Sequence, residues 1–325
     1  MRSPLPLAIL AGALLYSPAG AGTYFATPST LDATAKQLKA GDTMVLAGTQ
    51  PFPAWRGLSN RAFNPPITVD AGKATIAGQW YLYNLAGVNF VGGVWQNGLK
   101  VDWLNNGAIK PADITVSGGT FAAPQGSTAN AIAFSRASRV AVRNVNISGY
   151  RYGVVIFRTD GFEVSGSVAS ALSSDFVQMV QSDNGVIDGN DYTALSYVVG
   201  QEHPDAGQGQ GWGYSSGKAV TGLRVTNNRA RGMAQGFPFL ADGCFNDVLI
   251  EGNTNEMLMA RGLSVACGQN ITVRNNVTLT ASGATGPSGM FLPANAVRCG
   301  NTVASYAYNG RIWPGSVDAP CPVGP

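Results

Sequence analysis

The sequence predicts an all-β chain wound as a parallel β-helix, a solenoid of roughly ten coils with a short helix capping its N-terminal end. Three observations carry this. Pairs of apolar residues separated by one position recur along the chain. Each pair runs into a corner rich in Gly and Asn, and the recurrence keeps one period with a single exception.

The repeated segments are "ITVDAG", "VNFVGG", "ITVSGG", "VAVRNV", "FEVSGS", "GVIDGN", "LRVTNN", "VLIEGN" and "ITVRNN". Their second apolar residues are Val69, Phe90, Val116, Val142, Val164, Ile187, Val225, Ile250 and Val273, with steps of 21, 26, 26, 22, 23, 38, 25 and 23. Two positions later stand Ala71, Gly92, Gly118, Asn144, Gly166, Gly189, Asn227, Gly252 and Asn275. All but Ala71 are residues that readily take the left-handed backbone conformation of a sharp corner. A strand and turn every 21 to 26 residues is too short for a four-stranded propeller blade and lacks the helical half of a leucine-rich horseshoe. One coil per period remains.

The repeated pairs and the opening "TYFATPSTLDATAKQLKAGDTMVL" resemble right-handed parallel β-helix proteins of the pectin-lyase-like superfamily, over nearly all of the chain that follows its leader. The resemblance implies a right-handed coil. It names no chemistry, because that superfamily includes lyases, glycosidases, epimerases, tailspikes and adhesins.

Residues 1–21, "MRSPLPLAILAGALLYSPAGA", read as a signal peptide: one charge at Arg2, an apolar run from Leu5 to Tyr16, and a small-residue end at Ala19-Gly20-Ala21. The run is shorter than the roughly 20 residues of a bilayer crossing, so the mature chain is expected from Gly22, secreted or periplasmic, with no membrane contact after cleavage. Next, Ser29 with Asp32 suggests a capping box, and Leu31, Ala35 and Leu38 form one apolar stripe, so residues 30–40 are expected to be the capping helix. The β-helix is expected over 22–310. Residues 311–325, "RIWPGSVDAPCPVGP", are expected as an irregular Pro-rich tail packed on the last coil.

Cys244 and Cys267 each precede their anchors, Ile250 and Val273, by six residues, and so should stack on neighbouring coils about 4.8 Å apart, within reach of a disulfide. Cys299 and Cys321 are the expected second pair. Two disulfides suit an oxidising compartment.

Composition narrows the function. A net charge of +3 without a basic run interleaved with aromatics argues against a nucleic-acid partner. One histidine and no Cys-x-x-Cys argue against a zinc centre. There is no Gly-x-Ser-x-Gly elbow, and "GQGQGWG" lacks the lysine of a phosphate loop.

The single step of 38 exceeds an ordinary coil by about 15 residues, and insertions in solenoids emerge as loops on one face, often the binding face. That interval contains "QEHPDAGQGQGWG", with the only histidine, His203. Asp205 and Gln208 there repeat the Asp-x-x-Gln spacing of Asp175 and Gln178. If both copies keep register, Asp175 and Asp205 are ladder neighbours, expected on the open face with one raised carboxyl pKa. Strand alternation sends Ile132, Val154, Val177 and Leu263 inward and Ala133, Val155, Gln178 and Ser264 outward.

The leading expectation is a secreted enzyme cleaving a polysaccharide, with Asp175 and Asp205 as acid and nucleophile or base and His203 tuning them. Gln178, Gln208, Gln210, Arg158, Trp212 and Arg231 would hold sugar. No cofactor is required. The alternatives are a calcium-assisted lyase in which Asp175 and Asp205 bind the ion, and a non-catalytic polysaccharide-binding β-helix or adhesin. Oligomeric state is open.

Overall fold

The computed structural model describes residues 20–322 except 105–106, 125, 195–203, 233–234, 259–260, 283, 285–287 and 309–310; the side chains of 305–316 also lie outside the description. His203 and residues 1–19 of the expected signal peptide are therefore outside the described residues. Among the described residues, no helix is long and apolar enough to cross a membrane.

Each coil lays three strands in turn on three faces. Ser138–Arg143, Asn146–Ser148 and Tyr152–Phe157 form one complete coil and define faces A, B and C. Each strand pairs in parallel with its counterpart in the next coil, for example Val142 with Val164, Ile147 with Ala169 and Val155 with Gln178. This closes the ladders lengthwise, and every strand between the two ends has a neighbour on both sides.

The nine anchors form one column on face A, running in register from Val69 to Val273. None is more than 1% exposed. A column of buried aliphatics of this kind contributes roughly 1.5 to 3 kcal/mol per fully buried side chain. The corners behave as their residue types require: Asn144, Asn227 and Asn275 have φ of 54°, 56° and 55°, and the corner that Ala71 cannot make passes to Gly72 at φ 46°. Near the N-terminal end the interior is filled by aromatic rings, with Trp95 stacked on Phe121 at 5.4 Å and edge-on to Trp80 at 5.2 Å.

The helix forms as Leu31–Gln37, with Leu31, Ala35 and the following Leu38 buried. Its cap differs from the expected box. Thr30 is the N-cap and its hydroxyl accepts the Thr27 N–H at 2.9 Å, while Asp32 accepts the indole N–H of Trp55 at 2.7 Å. Asp32 thus ties the helix to the first coils instead of closing its own first turn.

The tail also differs. Arg311–Val317 is a strand, paired antiparallel with Thr302–Tyr308, so the chain turns back on the last coil rather than trailing irregularly. The disulfides Cys244–Cys267 and Cys299–Cys321 are both present, with Cα separations of 4.7 and 4.8 Å.

One interior feature escaped the sequence reading. Asn190, Asn228, Asn253, Asn276 and Asn301 stack three residues beyond successive anchor positions, each no more than 1% exposed. The Asn190 oxygen accepts the Ser167 N–H at 2.9 Å, and from Asn228 onward each side-chain oxygen accepts the backbone and side-chain N–H groups of the Asn one coil earlier, as Asn253 does from Asn228 at 3.0 and 2.9 Å. Asn301 ends the ladder by donating to Asp318 at 2.9 Å. The signal was visible in the second residue of "GN" and "NN" at these corners.

Candidate functional site

The long interval consists of two insertions rather than one. The register step is 23 residues from Ser167 to Asn190, 30 from Gln178 to Gln208 and 38 from Asp183 to Thr221. Seven residues are therefore added before the strand Gly207–Gln210 and eight after it. The two insertions precede and follow one strand of face C, so the irregularity in the spacing centres on that strand.

Face C carries an outward row in which Ala133, Val155, Gln178, Gln208, Phe239 and Ser264 follow one another, as alternation predicts. Gln178 and Gln208 lie side by side, with Nε2 donating to Oε1 at 3.4 Å, and Gln210 donates to the same oxygen at 3.5 Å. All three amides are half-buried. Each retains hydrogen-bonding capacity toward the open side.

The second insertion supplies a wall. Trp212 is half-buried, packs against the core, and lies 5.7 Å from the Arg158 guanidinium and 5.0 Å from the Lys218 ammonium. Arg158 also lies over Phe157 at 5.0 Å, and its Nε donates to Gln181 at 2.8 Å. On the far side, Arg261 covers Phe239 at 5.2 Å and Phe291 at 5.6 Å.

Asp175 and Asp205 are neighbours in adjacent coils, in the register that the repeated Asp-x-x-Gln spacing implies. The Asp205 N–H donates to Asp175 Oδ1 at 3.0 Å, and the Phe176 N–H donates to the Asp205 carbonyl at 2.9 Å. Their expected exposure is corrected: Asp175 is 2% exposed and Asp205 0%. Asp175 lies ahead of the strand Val177–Val180, at a bend where Ser174, Asp175, Phe176 and Val177 are all buried, so the alternation that turns Gln178 out does not extend to it. Both lie beneath face C, near Tyr192, whose phenol is pushed upward by burial and by the carboxyls of Asp175 and Asp205.

Arg231 is also corrected. It belongs to Arg229–Gly232 on face B, and its guanidinium is held by Asp191 at 2.9 Å and Thr193 at 2.9 Å, away from the amide row. Its position before the next strand did not reveal which of the three faces it occupies.

A second polar cluster lies on the outward side of earlier strands of face C. Asp102 takes a bond from Arg136 at 2.9 Å and faces Lys100 at 3.7 Å and the Tyr81 hydroxyl at 3.4 Å. Burial draws the Asp102 carboxyl upward, but the bonds from Arg136 and Ser135 and the charges of Arg136 and Lys100 outweigh it and hold it below the usual carboxylate range. A cleft of about 280 Å³ beside it is lined by Gln79, Tyr81, Lys100 and Asn130 among others. Asp102 is the only acidic residue at the outward positions of the described face C strands.

A family model described as "Right handed beta helix region" matches residues 130–287. No curated protein matches the chain in sequence. Among solved structures, the pectate lyase Pel9A is similar with a TM-score of 0.49 and 13% identity, over 86% of this chain and 79% of that one. PfbA, a surface adhesin of Streptococcus pneumoniae, is similar with a TM-score of 0.47 and 10% identity, over 90% and 85%. DFA-IIIase from Arthrobacter chlorophenolicus A6 has a TM-score of 0.39 and 11% identity, over 88% and 84%.

Proposed function

We infer that this chain, a right-handed parallel β-helix protein of the pectin-lyase-like superfamily, is a carbohydrate-active protein that binds a polysaccharide along face C. The observation that carries this is the row of amides at Gln178, Gln208 and Gln210, flanked by Trp212. Amides in a row meet hydroxyls that recur along a polymer, and a half-exposed indole offers an apolar surface to a sugar ring. A succession of amides on adjacent coils meets an extended chain better than a compact molecule.

Binding is the part of the activity that this geometry supports best. Asp175 and Asp205 lie inside the coil and do not meet a polymer on face C, so the two-carboxylate hydrolysis first expected of them is not assigned. The same pair fits calcium poorly. Ca²⁺ takes six to eight oxygen ligands, Asp175 Oδ1 already accepts a backbone N–H, and no group of three or more His, Cys, Asp or Glu able to hold a metal occurs among the described residues.

The test is a panel of soluble polysaccharides assayed by affinity electrophoresis and, in parallel, for new reducing ends and for absorbance near 235 nm. Retardation by at least one polymer is expected, and Trp212→Ala and Gln208→Ala should each weaken it, the Trp212 change by about tenfold or more. Retardation unchanged in both variants would show that the polymer lies elsewhere. Product in either chemical assay would add cleavage to binding and identify it as hydrolysis or elimination.

A further inference from the structure

Arg158 and Arg261 are held in the same unusual way. Arg158 lies over Phe157 and Trp212, with its Nε donating to Gln181. Arg261 lies over Phe239 and Phe291, which stand one coil to either side of Ser264 in the outward row. Both residues are exposed, and the terminal nitrogens of both guanidinium groups have no hydrogen-bond partner among the described residues. Aromatic contacts fix the plane of a guanidinium without occupying its donors. Most other arginines of the solenoid are differently engaged: Arg136, Arg139, Arg143, Arg231 and Arg274 each pair with a carboxylate.

The two are placed at opposite edges of face C. Arg158 follows the strand Tyr152–Phe157, and Arg261 begins the strand Arg261–Val265 four coils later, about 19 Å along the axis at the usual strand spacing. The amide row lies between them. The outward positions of the intervening strands hold no acidic residue; Asp242, exposed at a corner of this face, is the nearest acid in the row of corners that contains Arg158. Lys218 beside Trp212 adds a further cation.

We propose that the polymer bound along face C is anionic, and that Arg158 and Arg261 recognise its charged groups, each presenting a two-nitrogen fork to a carboxylate or sulfate carried on the sugar. This rests on the reading of face C given above. A guanidinium already immobilised by two rings loses little further freedom on binding, and a planar fork matches two oxygens of either anion. The diagonal arrangement implies that a chain crosses face C obliquely and is anchored at two points, with its hydroxyls on the amides between.

The experiment compares two matched pairs of probes: polygalacturonate with its carboxyl-reduced form, and dextran sulfate with dextran. At low salt, wild-type protein is expected to bind at least one charged member about tenfold or more tightly than its neutral counterpart, with the advantage shrinking as salt is raised. The pair that shows it identifies carboxylate or sulfate. Arg158→Gln and Arg261→Gln should each reduce that advantage, lowering affinity for the charged polymer several-fold more than affinity for its neutral counterpart. Arg158→Lys and Arg261→Lys, which keep the charge and most of the apolar stem, should recover only part of it, and they serve if a Gln variant fails to fold. Equal affinity for charged and neutral members, or Gln variants that weaken both alike, overturns the proposal but leaves the polymer on face C. Binding to none of the four probes, nor to any polymer of the wider panel, overturns the reading of face C itself.

Discussion

The backbone N–H of Asp205 donates to the Asp175 carboxylate of the adjacent coil at 3.0 Å, with both residues inside the solenoid. This makes Asp175 a structural acceptor. Asp175→Ala leaves a buried amide without that partner, which costs roughly 1–3 kcal/mol. Asp175→Asn keeps an oxygen in place and should cost much less. Urea denaturation of the two variants is the measurement; equal stability of Asp175→Ala and wild type would show that the bond contributes nothing.

The Asn ladder makes a stronger prediction. Asn253 accepts two bonds from Asn228 and donates to the Val225 carbonyl and to Asn276, all of them buried. Asn253→Ala therefore strands several polar groups at once and should lower stability by more than about 4 kcal/mol, in the range that marks loss of a buried network. Asn227, one residue before the ladder, is exposed at φ 56°, and Asn227→Gly should be close to neutral. Thermal unfolding of the pair separates ladder from corner.

Asp102 predicts an acid limb. Its carboxyl is held below the usual range, so its contribution is complete above the unfolded value of about 3.9 and is lost as pH falls through the folded value. Wild-type stability should fall below about pH 4 more steeply than that of Asp102→Asn. Melting temperatures of both proteins between pH 2.5 and 7 test this, and parallel curves would contradict it.

Val164 is fully buried between Val142 and Ile187 in the anchor column. Val164→Asp puts an unpaired charge among apolar side chains and should unfold the middle coils under conditions where wild type is folded. Circular dichroism at 25 °C reports it. A variant melting with wild type would mean that the column is not the core.

The sequence by itself determined the coil and its register. Each anchor must be apolar to fill the column, each corner needs a left-handed residue, and the two requirements repeat every turn, so Val69 through Val273 and Gly92 through Asn275 betray the period one residue at a time. Cys244 and Cys267 were legible for the same reason. The direction of a side chain at a corner was not. Asp175 and Gln178 are three residues apart in one short motif, yet one is sealed inside and the other faces solvent, and Arg231 and Arg158 occupy different faces. Chain spacing states how far along a coil a residue lies, whereas burial depends on where the backbone bends and on what the adjacent coils put above it. The rings that clamp Arg261 come from coils on either side, Phe239 and Phe291, 52 residues apart in sequence and neighbours only after the solenoid has closed.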